Sequence, residues 1–279
     1  MSVTLYLAIP CYNEETVLPE TARRLREKFT ALRAAGTIGP MSRICFIDDG
    51  SKDATWQLIS DLHARDPAFS GIRLSRNRGH QNALLCGLMT LRNRADCVIS
   101  MDADLQDSPD EIPAMRRMIL DEGYDLVSGW KRKRHDPAGK RLPSRFFNWT
   151  ARAVSGIRLH DFNCGLKAYR RKVVKSIEVY GEMHRYIPIL AKEAGFRRIG
   201  EKVVCHRARK YGSSKFGMER MVKGYLDLIT VSFLSHFGRS PMYFFGGLGT
   251  LMFLLGGCST IWILSLIHIS EPTRRRGIS

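Results

Sequence analysis

Cys97-Val98-Ile99-Ser100-Met101-Asp102-Ala103-Asp104-Leu105-Gln106 decides the fold. Its first half is a short apolar run, the pattern of a strand buried on both faces. Helix-like segments flank it, at 79–94 and 109–122. An apolar strand between helices is the unit of a parallel sheet, and the residues that follow the strand stand at the sheet's carboxyl edge. Open α/β sheets hold their ligands at that edge. Asp102 and Asp104 point to opposite sides of an extended chain but converge where the strand curls into a loop. Two carboxylates and the Gln106 amide are hard oxygen donors, suited to Mg²⁺ or Mn²⁺ bridging the phosphates of a nucleotide. Taken alone, a D-x-D tripeptide reads more readily as a solvated acidic turn. The surrounding chain reverses that balance.

Outward from this stretch, strand and helix alternate over the first two hundred residues or so. Strands are expected at 3–9, 43–47, 71–74, 97–101 and 125–129. Helices are expected at 14–35, with Leu18, Leu25, Phe29 and Leu32 on one face, and at 79–94, with Leu84, Leu88 and Leu91 inward. Between them a helix carries Leu58, Ile59 and Leu62, with Asp53 as its N-cap. Ser108-Pro109-Asp110-Glu111 has the form of a capping box with proline at the first helical position. Asp107 and Asp110 are therefore read as helix-start residues and not as ligands. Beyond Trp130 the pattern loosens: 131–143 reads as a basic loop, 165–169 and 198–205 as strands, and 146–154 and 185–194 as helices. Such alternation predicts an α/β fold, a mostly parallel sheet with helices on both faces.

The formal charge is +17, from 44 Lys and Arg against 27 Asp and Glu. Nucleic acid, anionic lipid or a phosphorylated substrate would each explain it. No helix-turn-helix, zinc-finger or RNP signature is present, so nucleic acid is not expected. The basic residues concentrate at 131–145 and 207–223, and the second cluster leads into 241–267, a segment without a charged residue. As a helix it would run ~40 Å, more than the ~30 Å hydrocarbon core of a bilayer. The preceding cations keep the N-terminal part cytoplasmic under the positive-inside rule. Residues 216–237 read as an amphipathic helix, with Met218, Met221, Val222, Tyr225 and Ile229 on one face. No signal peptide is expected. The seven cysteines are scattered without a C-x-x-C pair, which argues against a disulfide framework or zinc site. Residues 268–279 are expected to be a tail foreign to the protein.

There is no G-x-x-x-x-G-K-[ST] and no G-x-G-x-x-G, which argues against a P-loop or dinucleotide fold. The first strand ends instead in Pro10-Cys11-Tyr12-Asn13-Glu14 and the second in Asp48-Asp49-Gly50-Ser51. With Asp102–Gln106, neighbouring strands present polar residues at one edge. To these are added Gly79-His80-Gln81-Asn82-Ala83, Asp161-Phe162-Asn163-Cys164-Gly165, His184-Arg185-Tyr186 and Gly212-Ser213-Ser214-Lys215. Together these motifs resemble the family-2 glycosyltransferases with a GT-A type domain. The closer resemblance is to the polyprenyl-phosphate type, which includes dolichol-phosphate mannose synthases and bactoprenol glucosyltransferases. It covers Val3 to about Leu264.

The resemblance implies a GT-A domain over 1–212, an amphipathic juxtamembrane helix over 213–240 and a transmembrane helix over 241–267. It implies that Pro10, Tyr12, Glu14 and Asp49 hold the nucleoside of a nucleotide-sugar donor, with Asp102 and Ala103 against ribose and metal. Asp104 and Gln106, with Asp102, would coordinate Mg²⁺ or Mn²⁺, and Asp161 occupies the catalytic-base position. A lipid phosphate is largely dianionic at neutral pH and has little need of a base. Asp161 is therefore expected to be essential, with orienting the acceptor as an alternative to proton abstraction. Arg145, Arg209 and Lys215 are placed to receive donor diphosphate or acceptor phosphate, and Lys131–Arg134 to attract anionic headgroups. The implied reaction is inverting transfer of a hexose to polyprenyl phosphate at the cytoplasmic membrane face. UDP-glucose is the first donor expected and GDP-mannose the second. A glycolipid or polysaccharide acceptor, or a non-catalytic membrane scaffold, are the alternatives, and self-association is left open.

Overall fold

The structure is a computed structural model, and it describes residues 3–132, 148–152, 155–177, 186–205, 226, 230, 233 and 240–270. The chain divides into two compact units, Met1–Ile229 and Thr230–Ser279.

In the first unit, β1 (Leu5–Cys11), β2 (Arg43–Asp48), β3 (Phe69–Arg73), β4 (Cys97–Ser100), β5 (Leu126–Trp130), β6 (Lys167–Arg170) and β7 (Ile199–Val203) form one sheet. Its order is β3-β2-β1-β4-β6-β5-β7. All pairings are parallel except those of β6, which runs antiparallel to both β4 and β5. The strand order reverses between β1 and β4, which makes their carboxyl ends the topological switch point. Because β6 is reversed, the residues that lead into it, 161–166, arrive at that same edge.

Period-two alternation distributes β1 between two cores. Leu5, Leu7, Ile9 and Cys11 pack with α1 (Leu18–Ala34), Ile59 of α2 (Thr55–Arg65) and Ile112, Met115 and Ile119 of α4 (Ile112–Leu120). Tyr6 and Ala8 face the other way, onto Ala83, Leu84, Leu88 and Leu91 of α3 (His80–Leu91). On that face Val173 and Val174 of the helix Arg171–Ser176 and Ile187 of the helix Ile187–Glu193 complete the layer. Both faces of the central strands are covered, which is why they read as continuous apolar runs.

Several boundaries differ from expectation, each for a local reason. The first helix starts at Leu18 and not at 14, because the N–H groups of Glu14 and Glu15 are tied to Thr55, at the start of α2, and to Asp53 just before it. The N-cap of α2 is Ala54; Asp53, one residue earlier, accepts the N–H of Thr55 at 3.0 Å and that of Glu15 at 3.2 Å. The capping box does not close. Ser108 caps a 3₁₀ turn over Pro109–Glu111, while the Glu111 carboxylate turns away to Lys202 and to the N–H of Cys205. The strand expected at 165–169 runs Lys167–Arg170. The expected amphipathic helix over 216–237 lies almost wholly outside the described residues.

The loops after β1 and β2 are stitched together. Asn13 donates its N–H to Ser51 Oγ (3.0 Å), and its side-chain oxygen accepts the N–H of Lys52 (2.9 Å). Gly50, with φ +69°, lies where the loop after β2 passes the segment after β3, and a Cβ there would stand 2.6 Å from the backbone carbon of Arg76. Gly50→Ala therefore combines a left-handed backbone with a backbone clash. It is expected to cost at least ~1–3 kcal/mol of stability, read as a lowered denaturant midpoint; a midpoint equal to that of the parent would contradict the assignment.

In the second unit, Pro241–Ser270 is a single helix of 30 residues, exposed along 241–268. The stretch Pro241–His268 is long and apolar enough to cross a membrane.

Candidate active site

At the switch point the loops after β1, β2 and β4 enclose an open cleft of about 320 Å³. It is lined by Pro10, Cys11, Tyr12, Glu14, Asp49, His80, Asp102, Ala103 and Asp104. The donor-binding residues expected from sequence thus meet in one place, although Glu14 and Asp102 are 88 positions apart in the chain. Tyr12 is exposed at 38%, an open aromatic face at the rim. Cys11 lies at the base, where burial, with Glu14 and Asp48 adding to it, pushes the thiol well above its ordinary pKa. It is a packing group and not a nucleophile.

Asp49 combines two duties. It lines the cleft, yet its Oδ1 accepts the N–H of Arg78 (2.7 Å) and its Oδ2 that of Gly79 (2.8 Å). Those bonds fix the turn that opens α3, so the first residue of that helix, His80, is delivered to the cleft with Nε2 3.2 Å from Asp102 Oδ1. His80 is not among the expected site residues. The signal was present, since it stands second in the quoted Gly79–Ala83 motif, but only the fold brings it across to Asp102.

The acidic loop after β4 turns at Leu105, whose φ is +57°, and Asp104 Oδ1 accepts the N–H of Gln106 at 3.1 Å. Asp102 and Asp104 line the cleft; Gln106 does not. Among the described residues no group of three or more His, Cys, Asp and Glu forms a complete metal cage. Two carboxylates facing a nucleotide-sized cleft still fit Mg²⁺ or Mn²⁺, which keep waters and take most other ligands from substrate phosphates.

Behind this loop lies a set of buried charges. Asp107 is fully buried and pairs with Lys131 at 2.9 Å. Burial works against the Lys131 ammonium, but neighbouring negative groups, Asp107 and Asp102 among them, hold its pKa above the usual lysine value. The expected headgroup role for Lys131 is therefore corrected. Its side chain is 13% exposed and points inward to bind the acidic loop to the end of β5. Asp107 is likewise a buried ion-pair partner, while Asp110 does serve the turn, accepting from Ser108 Oγ at 2.9 Å. Lys167, at the start of β6, is buried too and donates to the carbonyl of Cys164; burial depresses its pKa.

Asp161 reaches the same edge from the opposite chain direction. It is 2% exposed, does not line the cleft, and accepts the N–H of Asn163 on Oδ1 at 3.0 Å. Its carbonyl accepts from Ser128 Oγ at 3.2 Å. Its link to the cleft is Gly165: a Cβ there would lie 2.6 Å from Asp102 Oδ2, so the 161–165 turn packs directly on the Asp102 carboxylate. Arg145, Arg209, Lys215, His184 and Arg185 lie outside the described residues, as do Lys133 and Arg134 of the basic run.

Comparison with known proteins agrees with the fold. A glucosyl-3-phosphoglycerate synthase from Mycobacterium tuberculosis, solved with Mn²⁺, UDP and glucosyl-3-phosphoglycerate, superposes with a TM-score of 0.57. The match is 19% identical and covers 84% of this chain and 80% of that one. The fold is of the GT-A type. The family model described as glycosyl transferase family 2 matches residues 6–178. A dodecaprenyl-phosphate galacturonate synthase of Rhizobium johnstonii is 35% identical over 253 residues, covering 89% of this chain and 72% of that protein. An undecaprenyl-phosphate 4-deoxy-4-formamido-L-arabinose transferase of Shewanella sediminis is 39% identical over 226 residues, or 80% of this chain. The chain spans 65% of the length of that second relative. This chain belongs to glycosyl transferase family 2.

Proposed function

We propose that this enzyme transfers a sugar from a nucleoside-diphosphate sugar to a polyprenyl phosphate, with inversion, at the cytoplasmic face of a membrane. The observation that carries the reading is the meeting of Tyr12, Glu14, Asp49, Asp102 and Asp104 in one cleft at the switch point. The two relatives above support the lipid-phosphate acceptor by name. They also favour galacturonate or 4-deoxy-4-formamido-L-arabinose over glucose or mannose as the sugar.

Tyr12 offers its ring to the base, and Glu14, with the remaining lone pairs of Asp49, accepts from base N–H or ribose hydroxyls. Asp102 and Asp104 would hold Mg²⁺ or Mn²⁺; Gln106, expected with them, stands outside the cleft lining. When bound, the cation supplies Lewis-acid neutralisation of the leaving diphosphate. An oxygen of the lipid phosphate forms the new bond to the anomeric carbon as the bond to the nucleoside diphosphate breaks on the opposite face. The leaving group takes the electron pair. The acceptor phosphate is largely dianionic at pH 7, so no proton need be removed. Asp161 is assigned to orient the acceptor and support positive charge at the anomeric centre. The domain organisation follows the same reading: catalytic residues 1–212, an interfacial helix over 213–240 and a membrane span over 241–267, with Arg145, Arg209 and Lys215 toward the phosphates.

The test supplies the full chain in detergent or membranes with undecaprenyl phosphate, Mn²⁺ and radiolabelled donors. The donors are UDP-galacturonate, UDP-4-deoxy-4-formamido-L-arabinose, UDP-glucose and GDP-mannose. Label is expected in the organic extract from one of the first two, and Asp161→Asn is expected to lower it about 10²–10³-fold. Absence of labelled lipid from every donor, with UDP still bound, would redirect the reading to another acceptor.

A further inference from the structure

We propose that Glu201, acting through His160, is the positioning residue that sets Asp161, so that this pair governs the rate of the transfer step and not donor binding. The inference rests on the reading of Asp161 given above. Asp161 lies in an irregular segment, so the place of its carboxylate depends on how its chain neighbours are held. Glu201 Oε2, on β7, accepts the N–H of His160 at 2.7 Å, and its Oε1 is hydrogen-bonded to His160 Nδ1. One carboxylate therefore holds the backbone and the ring of the same residue. The ring lies flat on the indole of Trp130, the last residue of β5, with centroids 4.1 Å apart and planes 12° from parallel.

The sheet explains why these groups meet. β5 and β7 pair in parallel with Ser128 opposite Glu201 and Trp130 opposite Val203. Ser128 donates to the Asp161 carbonyl, so adjacent strands grip residues 160 and 161 in succession. The His160 side chain is 51% exposed and Glu201 only 18%. A half-exposed ring adds little to the core. A charged, two-point hydrogen bond gives it one orientation, as expected of a group that fixes a neighbour.

Glu201→Gln weakens the two-point grip at constant size, and His160→Ala removes the link from a half-exposed position. Each is expected to lower kcat for labelled sugar transfer to undecaprenyl phosphate about 10- to 100-fold, the range associated with displacement of a reacting group by about an ångström. UDP affinity with Mn²⁺, measured by calorimetry on the full chain, and the melting temperature are expected to stay at parental values. A purely structural role would instead lower the melting temperature and UDP affinity together. In an Asp161→Asn background, adding Glu201→Gln is expected to leave the residual rate unchanged, because its effect passes through Asp161. Parental kcat in both single variants, or losses that multiply in the double variant, would overturn the clamp while leaving the role of Asp161 intact. Parental transfer by Asp161→Asn alone would overturn the role of Asp161 and the clamp with it.

Discussion

Asp104→Ala is expected to reduce sugar transfer about a thousandfold, close to 4 kcal/mol of transition-state stabilisation. The side chain lines the cleft beside Asp102 and is not part of the buried core, so its removal leaves the fold nearly untouched. What it removes is one of the cleft's two facing carboxylates at the acidic loop and the bond from Asp104 Oδ1 to the N–H of Gln106, which shapes the left-handed turn at Leu105. Alanine therefore removes charge and loop geometry together, and asparagine separates them. Asp104→Asn keeps an oxygen for the Gln106 N–H but halves the negative charge that the two aspartates bring to a cation. It is expected to lose nearly as much transfer, with an unchanged melting temperature. The independent readout is UDP binding. The gain in UDP affinity that Mn²⁺ brings to the parent enzyme is expected to vanish in both variants, while affinity in EDTA stays the same. Parental stimulation of UDP binding by Mn²⁺ in Asp104→Ala would remove Asp104 from the metal site.

Gly165→Ala is expected to lower transfer about a hundredfold with little loss of stability; Gly165 closes the Asp161–Gly165 motif, but only the fold shows that it packs on Asp102. The added methyl would lie 2.6 Å from Asp102 Oδ2 and 2.9 Å from its Oδ1. The Gly165 backbone cannot retreat freely, because its carbonyl accepts Ser100 Oγ at 2.9 Å and β6 begins two residues later. The carboxylate must yield, by rotating away from its pairing with His80 and out of its place in the cleft. Rotation of one short side chain costs little folding energy, but misplacement of about an ångström at a reacting centre can cost about 10²-fold in rate. Gly165→Ser should behave alike. Measurement of kcat alongside a denaturation curve checks the pair. Unimpaired transfer would mean that the 161–165 turn does not bear on Asp102 in the working enzyme.

These two predictions differ in origin. Asp104 is legible in the amino-acid order, because an acidic tripeptide after a buried apolar run marks a sheet edge. Pro10 at the end of β1, Tyr12 and Glu14 just after it and Asp49 after β2 are placed at that edge in the same way, while their roles came with the family resemblance. Alternation of strand and helix made the layered α/β architecture readable for the same reason: local periodicity records which face is covered. Errors fell where a local pattern competes with a distant partner. Glu111 has the spacing of a capping box, but Lys202 and the Cys205 N–H, some ninety residues away, hold its carboxylate. Lys131 belongs to a basic run that reads as solvated, yet its partner is the buried Asp107.

The order of residues alone determined the strand runs, the helices between them, the family motifs and the apolar segment at 241–267, because each is written in contiguous residues. Tertiary structure alone decided that β6 runs backward between β4 and β5, and this reversal carries Asp161 and Gly165 to the edge that holds Asp102. It also decided the pairing of His80 with Asp102, of Lys131 with Asp107 and of Glu201 with His160. The physical reason is common to all of them. A hydrogen bond or ion pair between residues 22 to 41 positions apart leaves no periodic trace along the chain, and strand direction within a sheet is set by which pairing buries the most surface and satisfies the most backbone groups.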